Sequence, residues 1–363
     1  MDTRTALKEG TLLKVSNIDR GTVTYTIQDE IGRGNSGIVY NGFYRDNAGG
    51  RNTVRIKECY PFRAGLLRRG DELIPIGETE AADFEECKKK MEESFIVNNR
   101  LFHTDGLTNF ISNTIDKYVT NNTIYIVSTY HEGDVLSCEM ADSVKACVSI
   151  VKSVAAAIRR FHEAGYLYLD IKPENIFVLK GAAHVVQMFD FDSLIPLEDI
   201  RRSGRKEKYR IFFTKGFAAL EQERGYGHLL GRHTDVYGVG ALLFYLLFGR
   251  TPEAPDCETG VEYQFNRCRF ADKNYQDRLF RALPDFFHHT LAGYYLDRYQ
   301  DMDQVIGKLE EIEKYADTVV PFIISSQVGR PLVLLGGSGR LRLSATGWKG
   351  MKRTVFSSPV WAE

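Results

Sequence analysis

A chain of 363 residues, 43% hydrophobic and 26% charged, has room for one large or two ordinary domains and for a sizeable core. Its net charge of −1 excludes a global field that would draw it to nucleic acid or to a membrane surface. The six cysteines are scattered with no C-x-x-C pair, which argues against a metal cluster or disulfide framework and for reduced thiols in a cytoplasmic setting.

Residues 1–21 carry no apolar signal segment and read as an N-terminal extension. From Thr22 to Arg45 apolar and polar residues alternate around Gly32, Gly34 and Gly37, which predicts two antiparallel strands joined by a glycine-rich turn. Further strands are expected at Thr53–Glu58, Ile115–Val119 and Thr123–Tyr130, the last two joined at Asn121-Asn122. One helix, Ala82–Phe102, lies between them, so residues 22–130 read as a small sheet-based unit of five strands and one helix. Pro61–Ala81 and Ser193–Phe213 read as long irregular segments of the kind that often serve as lids.

After Gly133 the pattern turns helical, and residues 131–316 read as a larger helical unit. Asp142 is the expected cap of a helix that Gly165 stops. Asp235–Phe248 is apolar around its circumference and must lie inside the unit. Its apolar run, Val236–Phe248, is 13 residues long, short of the roughly 20 a membrane span needs. Helices are also expected at Lys273–Leu283, Phe286–Tyr295 and Met302–Tyr315; residues 317–363 form a tail or linker whose fold the sequence does not name.

Chemistry concentrates at Tyr168-Leu-Asp-Ile-Lys-Pro-Glu-Asn175, followed 15 positions on by Asp190-Phe-Asp192. Asp170, Lys172, Asn175 and Asp190 stand at the spacing a phosphoryl-transfer site needs: a base, a cation and two oxygen ligands for Mg²⁺. Upstream, Gly32-Arg-Gly34-Asn-Ser-Gly37-Ile-Val39 fits G-x-G-x-x-G-x-V, in which glycines let backbone N–H groups approach phosphates. A strand rather than a helix follows these glycines, which disfavours a dinucleotide-binding turn.

Taken in order, these motifs resemble those of eukaryotic-type Ser/Thr protein kinases, in a bacterial-style version, from about Tyr25 to Tyr315. The resemblance implies an α+β, two-lobed fold with a small β-rich lobe and a larger helical one, and transfer of the γ-phosphoryl group of Mg-ATP to a protein Ser or Thr. Lys57, in Val54-Arg-Ile-Lys57, would meet the nucleotide phosphates and a helix glutamate, for which Glu93 is chosen over Glu86 and Glu92. Thr129 and Tyr130 would form the hinge against adenine, with Ser128 guarding the back of the pocket. Thr214 would bond Asp170 and Lys172, Glu221 would pair with Arg298, and Asp235 would brace the catalytic loop.

Several supporting positions depart from the family pattern. Tyr168, Leu169 and Asp192 stand where H-R-D and D-F-G have His, Arg and Gly, and Leu220 stands where A-P-E has proline. Leu169 cannot receive a phosphate, so activity without activation-loop phosphorylation is expected. Arg55 replaces a small apolar residue that covers adenine, and either stacks on the base or crowds it. The run Arg201–Arg210, with six basic residues, is a solvated face or a docking strip for an acidic protein substrate or a phosphorylated partner. A catalytically silent scaffold is the alternative that these departures favour; a small-molecule kinase fits less well, because Lys172 and the Thr214–Glu221 segment are present.

Overall fold

Burial alternates along Arg51–Cys59 (β4), with Val54 and Ile56 buried and Arg55 and Lys57 on the opposite, cleft-facing side. That strand sits near the middle of an antiparallel six-stranded sheet in a computed structural model describing residues 2–17, 21–181, 184–203, 213–253, 267–271, 277–316, 323–325 and 331–333. The order is β1 (Leu12–Asn17), β2 (Gly21–Arg33), β3 (Gly37–Arg45), β4, β8 (Thr123–Thr129) and β7 (Thr114–Thr120). The sixth strand, β1, comes from the segment read as an extension. It pairs with Gly21–Thr26, and its Leu13 joins the sheet core.

Pro61–Ala81 is not an irregular loop. Leu66–Arg69 (β5) and Glu72–Pro75 (β6) form a hairpin that turns at Gly70-Asp71, where Gly70 takes a φ of 60°. The polar run Arg68-Arg69-Gly70-Asp71 disguises it in the sequence, because Arg68 is buried. Its guanidinium meets the fully buried Glu58 carboxylate at 2.6 Å, and that carboxylate also accepts hydrogen bonds from Tyr40 at 2.9 Å and Tyr125 at 2.8 Å. The carboxylate outweighs the effect of burial and raises the Arg68 pKa.

The helix α1 (Glu78–His103) lies against the sheet through Phe84, Lys88 and Met91, then reaches the second core through Leu101. That core is helical. It is built on α2 (Val144–Glu163), whose cap is Ser143 rather than Asp142, the Ser143 hydroxyl accepting from the Ala146 N–H at 3.2 Å. Two small sheets follow: β11 (Ile176–Leu179) between β9 (Gly133–Val135) and β12 (Val186–Met188), and β10 (Tyr166–Leu167) with β13 (Ile195–Pro196). β13 leads into α3 (Leu197–Ser203), so the start of the second expected loop is ordered; residues 204–212, with most of the basic run, lie outside the described residues.

Two further helices, α4 (Leu220–Glu223) and α5 (Arg232–Phe248), come next; α5 is buried on all sides and ends at Gly249 in the left-handed region. Asp277–Thr290 (α6) runs through Pro284 as one helix where the sequence reading broke it in two, and α7 (Met302–Ala316) closes the unit. The expected small sheet and larger helical body are thus both present within Met1–Thr318. In the second unit, Val319–Glu363, Ile323–Ser325 (β14) pairs antiparallel with Pro331–Val333 (β15). Among the described residues no helix is long and apolar enough to cross a membrane.

Candidate active site

The loop between β10 and β11 is held from below. Asp235, near the start of the buried α5, accepts the Tyr168 N–H at 2.9 Å and the Leu169 N–H at 2.7 Å, and bonds His162 Nε2 at 2.7 Å. Leu169 adopts φ 65°, a left-handed conformation that costs a branched side chain on the order of 1–3 kcal/mol. Besides Asp235 on its N–H, the Gln222 side chain donates to its carbonyl at 2.8 Å, so the strained residue is fixed on both sides. The sequence reading missed Gln222; its one signal is its place immediately after Glu221.

On that support, Asp170 is buried and takes donors from three residues. Lys172 Nζ reaches its Oδ2 at 2.6 Å, Thr214 Oγ1 donates to Oδ1 at 2.8 Å, and Asn175 Nδ2 donates to Oδ2 at 2.9 Å. Lys172 also donates to Thr214 Oγ1 at 3.1 Å. Four residues scattered over 45 positions of sequence therefore form one charge-assisted network. Because Asn175 Nδ2 also donates to the Asp170 carbonyl at 2.9 Å, its amide is turned so that its own carbonyl oxygen is left for a ligand.

Asp190 has φ 58°, and its carboxylate stands 3.7 Å from Lys57 Nζ. Burial in the cleft opposes the Lys57 ammonium, but Asp190 and Asp192 outweigh it and raise the lysine pKa. For Asp190 burial works upward, and Lys57 together with a hydrogen bond from Asp192 brings the net shift down. Asp192 shifts the other way, raised by its desolvated position between the cleft walls and by the like charge of Asp190. The Ser36 hydroxyl bonds Asp192, which ties the glycine-rich turn to this carboxylate pair. Tyr168, in the position of the expected histidine, donates its hydroxyl to the Phe189 carbonyl and packs its ring 5.2 Å from Phe161. Burial and the neighbouring carboxylates push its pKa well up, so the hydroxyl stays a donor.

Asn175 and Asp190 offer hard oxygen donors, which suit Mg²⁺. Among the described residues no cluster of three or more His, Cys, Asp or Glu would hold a metal alone. Magnesium sites that rely on one or two carboxylates and the phosphates of a substrate have this composition.

Glu93 does not reach Lys57. The α1 residues facing the sheet are Phe84, Lys88 and Met91; Glu93 follows Met91 by two positions, about 200° round the helix. Its side chain is 60% exposed, 3.9 Å from Lys89, while Glu92 pairs with Lys117 and Glu86 with Lys90. Val97 and Leu101, which share its face, pack into the helical core instead of the sheet core, and Glu93 lines a cavity of about 430 Å³ with Leu169 and Phe191.

Across the roof, Val39 pairs in register with Lys57 and with Gly32, so the glycine-rich turn overhangs the lysine. A Cβ on Gly37 would meet the Glu58 carbonyl oxygen at 2.0 Å, which makes glycine obligatory there, whereas Gly32 and Gly34 border open space. Ser128 lies opposite Arg55, and the Thr129 N–H donates to the Asn113 carbonyl at 2.9 Å, so it does not offer a donor to the cleft. Tyr130 carries the Arg55 guanidinium over its ring. Farther out, Arg298 forms a two-pronged pair with Glu221 at 2.7 and 3.0 Å, both side chains buried.

The comparisons with known proteins agree with one another. A family profile described as protein kinase domain matches residues 81–282, more than half of the chain. A probable serine/threonine-protein kinase of Clostridium perfringens is 25% identical over 209 residues, which cover 56% of this chain and 30% of the relative. The serine/threonine-protein kinase PknB of Mycolicibacterium smegmatis is 28% identical over 147 residues, 39% of this chain and 23% of the relative. The chain thus spans a third or less of the length of these curated relatives. The solved structure called PpkA-294 apo form superposes with a TM-score of 0.59 at 22% identity, covering 85% of this chain and 99% of that one, a likeness that concerns the fold.

Proposed function

The chain belongs to the protein kinase family, and from that premise we propose that it transfers the γ-phosphoryl group of Mg-ATP to a serine or threonine hydroxyl of a protein. The observation that carries this is the setting of Asp170, whose carboxylate is oriented by Lys172, Thr214 and Asn175 and is free of any competing acidic neighbour in that network. The sheet unit, which takes in β1 as well as residues 22–130, and the helical unit 131–316 are the two lobes around the cleft.

In this reading Asp170 accepts the hydrogen bond of the substrate hydroxyl and aligns its oxygen for in-line attack. Lys172 lends positive charge to the phosphoryl oxygens as it passes, and Thr214 keeps the lysine and the aspartate in register. Lys57 holds the inner phosphates beneath Gly32, Gly34 and Gly37, with Val39 forming the apolar roof, Thr129 and Tyr130 bordering the base site at the hinge, and Ser128 behind it. Asn175 and Asp190 would hold Mg²⁺, which when bound neutralises charge on the phosphates. Incubation with γ-labelled ATP, Mg²⁺ and a generic protein acceptor is expected to label Ser or Thr. Absence of transfer, together with absence of any nucleotide-induced rise in melting temperature, would leave the scaffold reading, which Arg55 favours.

We further propose that activity does not depend on phosphorylation between Ser193 and Thr214. Leu169, Leu167 and Leu230 form a small apolar cluster joined by Ile195, Leu197 and Ile200. Burial of these side chains, each roughly 1.5–3 kcal/mol when complete, does the anchoring for which a phosphate-binding arginine would otherwise serve. Phosphatase treatment is therefore expected to change the rate by less than about twofold. A large loss traced to a site in that segment would overturn the proposal.

Two finer points complete the reading. An acidic acceptor fits the basic run 201–210, and weakening of its phosphorylation by salt, relieved with a less acidic peptide, would distinguish docking from a solvated face. The five cysteines among the described residues are unpaired, which supports a cytoplasmic setting.

A further inference from the structure

Arg55 shares the cleft-facing side of β4 with Lys57, two residues along, so the two cations project from one strand face about 7 Å apart. Lys57 finds Asp190. Arg55 instead carries its guanidinium over two aromatic rings, 5.2 Å from the centre of Tyr130 and 5.1 Å from the centre of Phe177. Phe177 belongs to β11 in the helical body and is 4% exposed, so the contact runs from the roof of the cleft to its floor.

We infer that Arg55 is the resident occupant of the base slot, its flat guanidinium filling the space against Tyr130 and Phe177 that a planar purine takes when a nucleotide enters. This rests on the nucleotide reading proposed above and adds to it the residue that sets affinity. The chemistry matches on three counts. A guanidinium and a purine are both planar and both stack on aromatic faces. The slot lies on the same strand face as Lys57, which puts base and phosphates on one line. Burial also opposes the guanidinium charge, and Tyr130, Asp29 and Asp134 offset this only in part. A nucleotide that displaces it returns the cation to solvent.

The test is calorimetric titration of the full chain, wild type and Arg55→Ala, with Mg-ATP, adenosine and inorganic tripolyphosphate. Competition predicts that the variant binds adenosine and ATP about three- to tenfold more tightly, the order of the cation–π contacts with Tyr130 and Phe177 removed from the free state. Tripolyphosphate, which has no base, is expected to stay within about twofold. Arg55→Met, which keeps the length and apolar stem without the charge, should show the same gain and decides the matter if Arg55→Ala fails to fold. Weaker adenosine binding in the variants would overturn the inference and make Arg55 a stacking partner of the base; unchanged binding would overturn it by showing that no competition exists. If neither wild type nor variants bind ATP or tripolyphosphate, the phosphoryl-transfer reading itself falls, an outcome distinct from loss of the base effect alone.

Discussion

Replacing Asp170 by alanine is expected to lower phosphoryl transfer by about 10²- to 10⁴-fold, the usual contribution of a positioned acid–base group. The Kd for Mg-ATP is expected to stay within about threefold. The separation of the two effects follows from where the contacts lie. Asp170 is bonded to Lys172, Thr214 and Asn175, whereas Lys57 and Asp190, the pair proposed to serve the nucleotide, stand 3.7 Å apart and outside that network. Asp170→Asn provides the sharper comparison. It preserves volume, but its amide nitrogen must face Lys172, Thr214 or Asn175, all of which donate to this carboxylate. The asparagine variant should therefore be nearly as slow as the alanine variant, because an uncharged amide that puts a donor against donors does not orient a hydroxyl as the carboxylate does. Steady-state rates with labelled ATP, alongside calorimetric nucleotide affinity, check both statements. A rate within tenfold of wild type for either variant would remove Asp170 from the chemistry.

Much of this site was legible in the sequence because its chemistry is local. Asp170, Lys172 and Asn175 fall within six residues, and the elements flanking them, a buried helix and a short apolar strand, have patterns that survive without tertiary information. Asp235 could be placed only through the resemblance, because its donors, the Tyr168 and Leu169 N–H groups, lie more than 60 positions away in sequence. What the sequence did not reveal depends on contacts between distant segments. The β5–β6 hairpin looked like a polar loop because its stabilising residue, Arg68, is charged and becomes a core residue only by meeting Glu58. The β1 strand was hidden in the segment ahead of the alternating pattern. There the N-terminal residues also strap the sheet: Arg4 donates to the carbonyls of Tyr60 and, at 3.4 Å, Gly37, and the Leu7 N–H donates to Tyr40 Oη at 3.0 Å. Glu93 failed for a related reason. Spacing along α1 identifies a face, but α1 touches two cores, and the face containing Val97 and Leu101 belongs to the one that Lys57 does not adjoin.

The largest stability effect is expected at Glu221 and Arg298, which are far from the chemistry and carry none of it. Arg298 is 0% and Glu221 4% exposed, and the pair is bidentate. The remaining donor directions of Arg298 are also met, Nε at the Ala292 carbonyl (2.7 Å), Nη1 at the His233 carbonyl (3.3 Å) and Nη2 at the Gly293 carbonyl (3.4 Å), and Thr234 Oγ1 donates to Glu221 Oε1 at 3.0 Å. Removing one partner strands the other charge without water, which costs about 3–5 kcal/mol. For a domain of this size that corresponds to a fall of roughly 5–15 °C in Tm. Glu221→Ala and Arg298→Ala should each show it. The double replacement Glu221→Leu with Arg298→Met should recover part of the loss, because no uncompensated charge remains. Activity should decline in the single variants through position rather than chemistry: α4 carries Gln222, which holds the Leu169 carbonyl and with it the loop bearing Asp170. Thermal melts of the three variants, with labelled-ATP rates measured well below each Tm, test this chain of contacts. Single variants that melt within about 2 °C of wild type would show that the pair does not anchor the segment.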